Sequence, residues 1–427
     1  MSGGSESDCS SEDGPQTAAL RLVVGDELGV LRVVEVPSRD RWHGAKIVKK
    51  WGPNEGGPPD RTMGIKTLST ASREGLTDTE FAVVCLSRVD GTIEVRGAED
   101  FSVRGTVKPF VNSEASEQKG NPAQIVSITP TWNSRNDTVP NLLSCCDAGV
   151  VRLSRPSRKN SNTQMKESMS LLVADSITAA CADLDQRILA VGGDGCHLRM
   201  VDLDAQKITF KGKAPDNPYG LTKRNWTTAC AIVPNSDCNL ILVGTADHEV
   251  RLYDVRAGKR PVSKIEWRDA RVMAMATESN GDNIWMANAL GHMERYDVSK
   301  RRLRGTLTGR ITGSIRSMVA HPERPLLASA GLDRCVRLHD TAQRVMRVKV
   351  YVKYQCTGVD FLPVPEGYEG ECEEKVSEDE EKAKVREMIG GQGFSPPRLR
   401  GKHRFGARDF SRGRSRGGAS SFKRPRT

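Results

Sequence analysis

Along this chain, runs of apolar residues are each followed by a short polar turn and then by alternating apolar and polar positions. The pattern is clear in "LILVGTADHEVRLYDV" from Leu240, "ILAVGGDGCHLRMVDL" from Ile188 and "IWMANALGHMERYDV" from Ile284. It recurs in "LLSCCDAGVVRLS" from Leu142, "FAVVCLSRVDGTIEV" from Phe81, "LRLVVGDELGVLRVVEV" from Leu20 and "LLASAGLDRCVRLHD" from Leu326. A period of two on either side of a tight turn predicts a β-hairpin. The turns centre near Glu27, Asp90, Asp147, Gly195, Asp247, Leu290 and Asp333. Another short strand precedes most hairpins, as in "IVSITP" (125–130), "TTACAIVP" (227–234), "RVMAMATE" (271–278) and "SIRSMVAHP" (314–322). Apolar stretches such as "KITFKG" (207–212) and "RLRGTL" (302–307) follow. The unit is therefore four strands, repeated seven times, which predicts an all-β, seven-bladed β-propeller over about 20–363. The first hairpin lacks a preceding strand, while "QCTGVDFLP" (355–363) is a strand with no hairpin after it. The two halves complete one another if the last strand pairs beside the first hairpin, leaving no free edge.

The last turns lie 43 residues apart, within the WD40 period of about 40–45 residues, whereas the earlier units need loop insertions. In that scheme Asp333 is a turn residue bonding to nearby backbone, with Ser329 on the inner strand. His339, Tyr253 and Tyr296 take the Trp position of the WD dipeptide, and Asp340, Asp254, Asp297 and Asp202 its Asp position. His321 precedes Pro322 at a strand end. The stretch "AHPERPLLASAGLDRCVRLHD" (320–340) thus collects hydrolase-like residue types for structural reasons. Its polar side chains are expected to face different ways and share no pocket, so no catalytic, cofactor-binding or metal-binding residue is assigned. Phosphate-loop, HExxH and GxSxG motifs are absent, and "VGGDG" (191–195) reads as a hairpin turn.

Charge is unevenly placed. The net +10 of the 427-residue chain combines an acidic segment at 1–17, a body at 18–363, an acidic linker at 364–397 and a basic tail at 398–427. The terminal segments are expected to be disordered. The tail carries RG/RGG elements with interleaved phenylalanines. Its arginines suit phosphates and bases, which makes Arg398, Arg400, Arg404, Arg408, Arg412, Arg414 and Arg416 candidate RNA-binding residues. "KRPR" (423–426) suits nuclear import. On the body, "VSKRRLRG" (298–305) makes Lys300, Arg301, Arg302 and Arg304 a candidate basic interaction surface. The eleven cysteines form no CxxC pair, and the chain has neither a signal-peptide pattern nor a run of eighteen apolar residues. These features predict a soluble intracellular protein with reduced thiols.

"GSIRSMVAHPERPLLASAGLDRCVRLHD" (313–340), followed by "KVYVK" (349–353), resembles the last blade of a nucleolar WD-repeat family of large-subunit ribosome assembly factors, the Nsa-one/WD-repeat protein seventy-four family. The family pattern falls on Gly313 to Arg316, His321, Pro322, Pro325 to Ser329, Gly331 to Arg334, Lys349 to Tyr351 and Lys353, with Arg316, His321, Asp333, Arg334 and Tyr351 as its marked positions. The resemblance covers about 185–353. Before the fifth blade, "KAPDNPYGLTKRNW" has Arg224 where the family has Pro, and the segment 37–64 looks like a lineage-specific insertion.

The resemblance implies a non-catalytic scaffold in nuclear maturation of the large (60S) subunit precursor. It also implies nucleolar localisation, pre-rRNA and assembly factors as partners, release by an AAA-type ATPase, and a monomer within a larger complex. No cofactor and no membrane are implied. Two rivals are a WD40 substrate receptor of a cullin-type ubiquitin ligase, resting on "YDVR" (253–256), and a subunit of an RNA-modifying enzyme, resting on the basic tail alone.

Overall fold

The computed structural model describes residues 20–364, apart from 38–41, 53–58, 73–80, 111–122, 133–138, 157–163, 184–186, 216–223 and 310. Strands β1 (Leu20–Asp26), β2 (Leu31–Val36) and β3 (Lys46–Trp51) begin the first blade. The second comprises β4 (Ile65–Ala71), β5 (Val83–Arg88), β6 (Ile93–Gly97) and β7 (Val103–Val107). The third comprises β8 (Ile125–Thr131), β9 (Asn141–Cys146), β10 (Val150–Pro156) and β11 (Met165–Leu172). The fourth comprises β12 (Ala179–Asp183), β13 (Ile188–Gly192), β14 (Arg199–Asp202) and β15 (Lys207–Lys211). The fifth comprises β16 (Thr227–Ile232), β17 (Leu240–Thr245), β18 (Glu249–Asp254) and β19 (Ser263–Glu266). The sixth comprises β20 (Val272–Thr277), β21 (Asn283–Asn288), β22 (Met293–Asp297) and β23 (Arg302–Thr306). The seventh comprises β24 (Ile315–Ala320), β25 (Leu326–Gly331), β26 (Cys335–Asp340) and β27 (Val345–Tyr351). The last strand, β28 (Cys356–Leu362), returns to the first blade.

Each blade is a four-stranded antiparallel sheet, and the seven together form a closed β-propeller. The expected closure is present: β28 pairs antiparallel with β1, from Arg21 opposite Leu362 to Gly25 opposite Gly358. The innermost strands β28, β4, β8, β12, β16, β20 and β24 contact one another in a ring around a central channel of about 780 Å³. Gly358 sits where the closing strand passes β4 closely, since a β-carbon there would run into Leu68.

The core is divided among the blade interfaces. Seven apolar clusters, one between each pair of neighbouring blades, bury the inward faces of the middle strands. The cluster between the seventh and first blades joins Leu326, Val336, Leu338 and Val348 to Leu22, Val24, Val34, Val359 and Phe361. Middle strands are buried on both faces because a blade lies on each side, which explains their near-continuous apolar runs. Outer strands alternate: β15 and β23 bury few positions.

Two expectations need correction. The segment 37–64, taken as an insertion, contains β3, the outer strand of the first blade. "KIVKKW" is mostly exposed and polar, so it lacks the apolar signal of a middle strand. Ser329 lies on β25, the second strand of its blade, not on the innermost strand.

Candidate interaction surfaces

The polar residues of the seventh blade form two separate networks. His339 is fully buried, and its Nε2 lies 3.0 Å from the Ser329 hydroxyl. These side chains therefore meet, contrary to the expectation that they face different ways, because residues 329 and 339 sit diagonally on paired strands with the same facing. His339 fills the Trp position and bonds across the hairpin. Burial pushes its pKa down to about 3, so the imidazole is neutral. Asp333 does not join this pair. It accepts a bond from the Cys335 amide at 3.3 Å and forms an ion pair with the buried Arg337. A Ser–His contact with its Asp directed elsewhere lacks the relay geometry of nucleophilic catalysis. Nδ1 of His321 accepts from the amides of Glu323 and Arg324 at 3.1 and 3.0 Å, closing the turn after β24. Burial pushes the His321 pKa down to about 4.

The Asp of the WD dipeptide does the same work in four blades. Asp202 accepts from the amides of Asp204 and Ala205, Asp254 from Arg256, Asp297 from Lys300 and Asp340 from Gln343, all at 2.9–3.0 Å. Each caps the turn leading to the outer strand. Tyr253 and Tyr296 are buried, and the Tyr253 hydroxyl donates to the Lys213 carbonyl at 3.1 Å. In "YDVR", Arg256 is largely exposed and lies 3.4 Å from Asp254.

Other buried ionic networks were not anticipated. Arg88 pairs with Glu94, which also holds Arg96 at 2.7 Å. Glu249 holds Arg251 at 2.6 Å and Lys264 at 2.8 Å, while Arg251 reaches the side chain of Asn225 at 2.5 Å. Asp26 pairs with Arg32. A signal was available: "EVR" at 94–96 and 249–251 places opposite charges two apart, on one face of a buried strand. Burial works to raise the Glu94 and Glu249 carboxyls, but hydrogen bonds and attraction from these cations together outweigh it and hold both below the usual carboxylate range.

The candidate basic surface falls on the last turn and outer strand of the sixth blade. Lys300, Arg301, Arg302 and Arg304 are all exposed there. Arg304 lies 3.6 Å from Asp297, and the side chain of Arg344, from the seventh blade, lies against Gly305. The arginines of the tail at 398, 400, 404, 408, 412, 414 and 416 fall outside the described residues. Among the described residues no cluster of metal-ligand side chains exists, nine cysteines are free, and no helix is long and apolar enough to cross a membrane.

The marked motif residues separate by exposure. His321 and Asp333 are structural. Arg316, Arg334 and Tyr351 are exposed, on the innermost strand, the hairpin turn and the outer strand of the seventh blade respectively. Arg316 lines the channel mouth with Lys66, Glu27, Leu332 and Gln355. Arg334 stands over the Tyr351 ring at 5.9 Å, and Tyr351 is 59% exposed. Lys353 stands over Tyr354 at 5.4 Å, with Arg32 at 5.3 Å from the same ring. The hairpin turns add an internal comparison. Five of them place glycine in the left-handed region: Gly29, Gly91, Gly149, Gly195 and Gly291. The fifth and seventh blades place His248 and Arg334 there instead, at φ 52° and 61°. Lys353 is also left-handed, at φ 77°. For a residue with a β-carbon this conformation costs roughly 1–2 kcal/mol, so Arg334 and Lys353 occupy positions their backbones do not favour.

A seven-bladed ring of four-stranded sheets with Asp-capped turns defines a WD-repeat β-propeller, the scaffold class of protein. Consistent with it, residues 301–340 match the WD domain, G-beta repeat family. That match starts at the outer strand of the sixth blade and ends at β26, so the sequence repeat straddles two blades. The chain is 30% identical over half its length to human WD repeat-containing protein 74 and 28% identical over 67% of its length to the Bos taurus protein of the same name. The match covers 56% of the human relative and 73% of the bovine one. The crystal structure of Chaetomium thermophilum Raptor shares the fold, with a TM-score of 0.53, 14% identity, and coverage of 68% of this chain and 24% of Raptor. The chain is thus similar to WD repeat-containing protein 74 of two mammals over half to two thirds of its length.

Proposed function

We propose that this protein is a non-catalytic scaffold of the nuclear, nucleolar precursor of the large ribosomal subunit, joining pre-rRNA and assembly factors and leaving through an AAA-type ATPase. The observation that carries the reading is the 313–353 motif. Arg316, Arg334 and Tyr351 are exposed and stabilise no core, so their side chains suit a partner. The exposed bases of the sixth blade and the basic tail add attraction for a polyanion. A closed propeller holds such residues on a rigid frame, which is what simultaneous contact with several partners requires.

Tagged purification of the full chain from nuclear extract tests the reading. Co-recovery of large-subunit precursor RNA with nuclear assembly factors is expected. Recovery of a cullin adaptor instead, without precursor RNA, would replace it with the ligase-receptor reading.

A further inference from the structure

We propose that the exposed patch at the junction of the seventh and first blades, built from Arg334, Tyr351, Lys353 and Tyr354, is a binding site for single-stranded RNA on the folded body, separate from the arginine-rich tail. The proposal deepens the scaffold reading above and rests on it for the biological partner, but not for the chemistry.

Three observations carry it. The first is composition in space: two cation–aromatic pairs lie in consecutive structural elements, Arg334 over Tyr351 and Lys353 over Tyr354. Tyrosine faces stack on bases irrespective of sequence, and the adjoining cations meet the phosphates that link those bases. Tyr351 is exposed enough to offer a free ring face. The second is unspent charge. The side chains of Arg334 and Lys353 make no ion pair or hydrogen bond among the described residues beyond their ring contacts. The acids nearest the patch, Asp333 and Asp26, are engaged internally with Arg337 and Arg32. The third is backbone strain. Arg334 stands where five other blades carry glycine, and Lys353 is also left-handed. Glycine would satisfy either turn better, so the cationic side chains are what these positions supply. An acidic protein segment would satisfy the charges but would leave the tyrosine faces without their best-matched partner.

The Arg334→Gly substitution provides a clean test, because it installs the residue that this turn geometry prefers. Binding of a fluorescein-labelled oligouridylate to the full chain is read by anisotropy across a salt series, beside thermal melting. Arg334→Gly is expected to melt at or above the wild-type temperature while binding about three- to tenfold more weakly. Tyr351→Ala should weaken binding comparably, and Tyr351→Phe should retain it. Photocrosslinking with 5-iodouridine oligonucleotides should mark Tyr351 or Tyr354 by mass spectrometry. Unchanged affinity in both Arg334→Gly and Tyr351→Ala, or crosslinks confined to 398–427, overturns the proposal. So does competition by polyglutamate of equal charge as effective as unlabelled oligouridylate, which would make this a protein-docking face. Precursor RNA recovered with the wild-type chain, despite unchanged oligonucleotide binding in the variants, would sink this inference and leave the scaffold reading intact. The reverse pattern would sink the scaffold reading alone.

Discussion

The seventh and first blades are the same four-stranded sheet made in two ways. The seventh is continuous in sequence, from Ile315 to Tyr351, and its polar contacts are local: Ser329 with His339, Asp333 with Arg337, Asp340 with Gln343. The first is assembled from both ends of the propeller. Its closing contacts span most of the chain, as when Thr357 donates to the Gly25 carbonyl or the Thr70 hydroxyl donates to the Phe361 carbonyl. The seventh blade can form from nearby residues, whereas the first is complete only once β28 has come back to pair with β1. Both ends of the ring then depend on one strand.

Deleting 355–363 should have the largest effect. It unpairs β1, removes Val359 and Phe361 from the interface with the seventh blade, and leaves an exposed edge. The expected result is loss of cooperative melting and aggregation on size-exclusion chromatography. A folded, monomeric deletion protein would show that closure does not hold the ring. The graded version is Phe361→Ala, expected to cost about 3–5 kcal/mol in denaturant unfolding.

In the seventh blade, Asp333→Ala should leave Arg337 as an unpaired buried cation and cost about 3–5 kcal/mol. The paired change Asp333→Ala with Arg337→Met should recover much of that loss. If the single variant unfolds at the wild-type denaturant concentration, the ion pair is not needed to hold the turn.

The two blades should also respond oppositely to acid. His339 and His321 have depressed pKa values, about 3 and about 4, so the unfolded chain takes up their protons first and stability falls as pH drops below about 6.5. Asp360, on the closing strand, is the reverse. Burial pushes its pKa up to about 6 despite bonds from the Thr70 and Phe361 amides, so its contribution is full below about 4 and is lost as pH rises through 6. Asp360→Asn removes this opposing contribution and should therefore make the acid-side decline steeper. An acid-side decline no steeper in Asp360→Asn than in the wild type would contradict this assignment.

The smallest effect is expected at the cap of the seventh blade. Asp340→Ala removes the bond from Gln343 and the Arg347 contact at 3.0 Å, and should cost about 1 kcal/mol with the fold intact. A cost as large as that of Asp333→Ala would mean that capping, not the buried ion pair, dominates this blade.

The strand count, the hairpin turns and the pairing of the last strand with the first are all legible in the sequence. A strand buried on both faces must be almost uniformly apolar, and a tight turn needs particular residues, so both leave local marks. The outer strand β3 left no such mark. Half exposed at the rim, "KIVKKW" is free to be polar, so by pattern alone it reads as part of an insertion. The Asp333 turn was legible for the same local reason. The meeting of Ser329 with His339 was not, because it depends on cross-strand register. The tertiary structure also decided which motif residues serve the fold and which face outward. His321 and Arg334 sit thirteen positions apart in one motif, yet one is buried against Phe361 and the other stands over Tyr351 in solvent. Residue type and spacing specify strands and turns because those are local preferences of the chain. Burial and partnership depend on which distant strands are brought alongside, and that follows only once β28 has closed the ring.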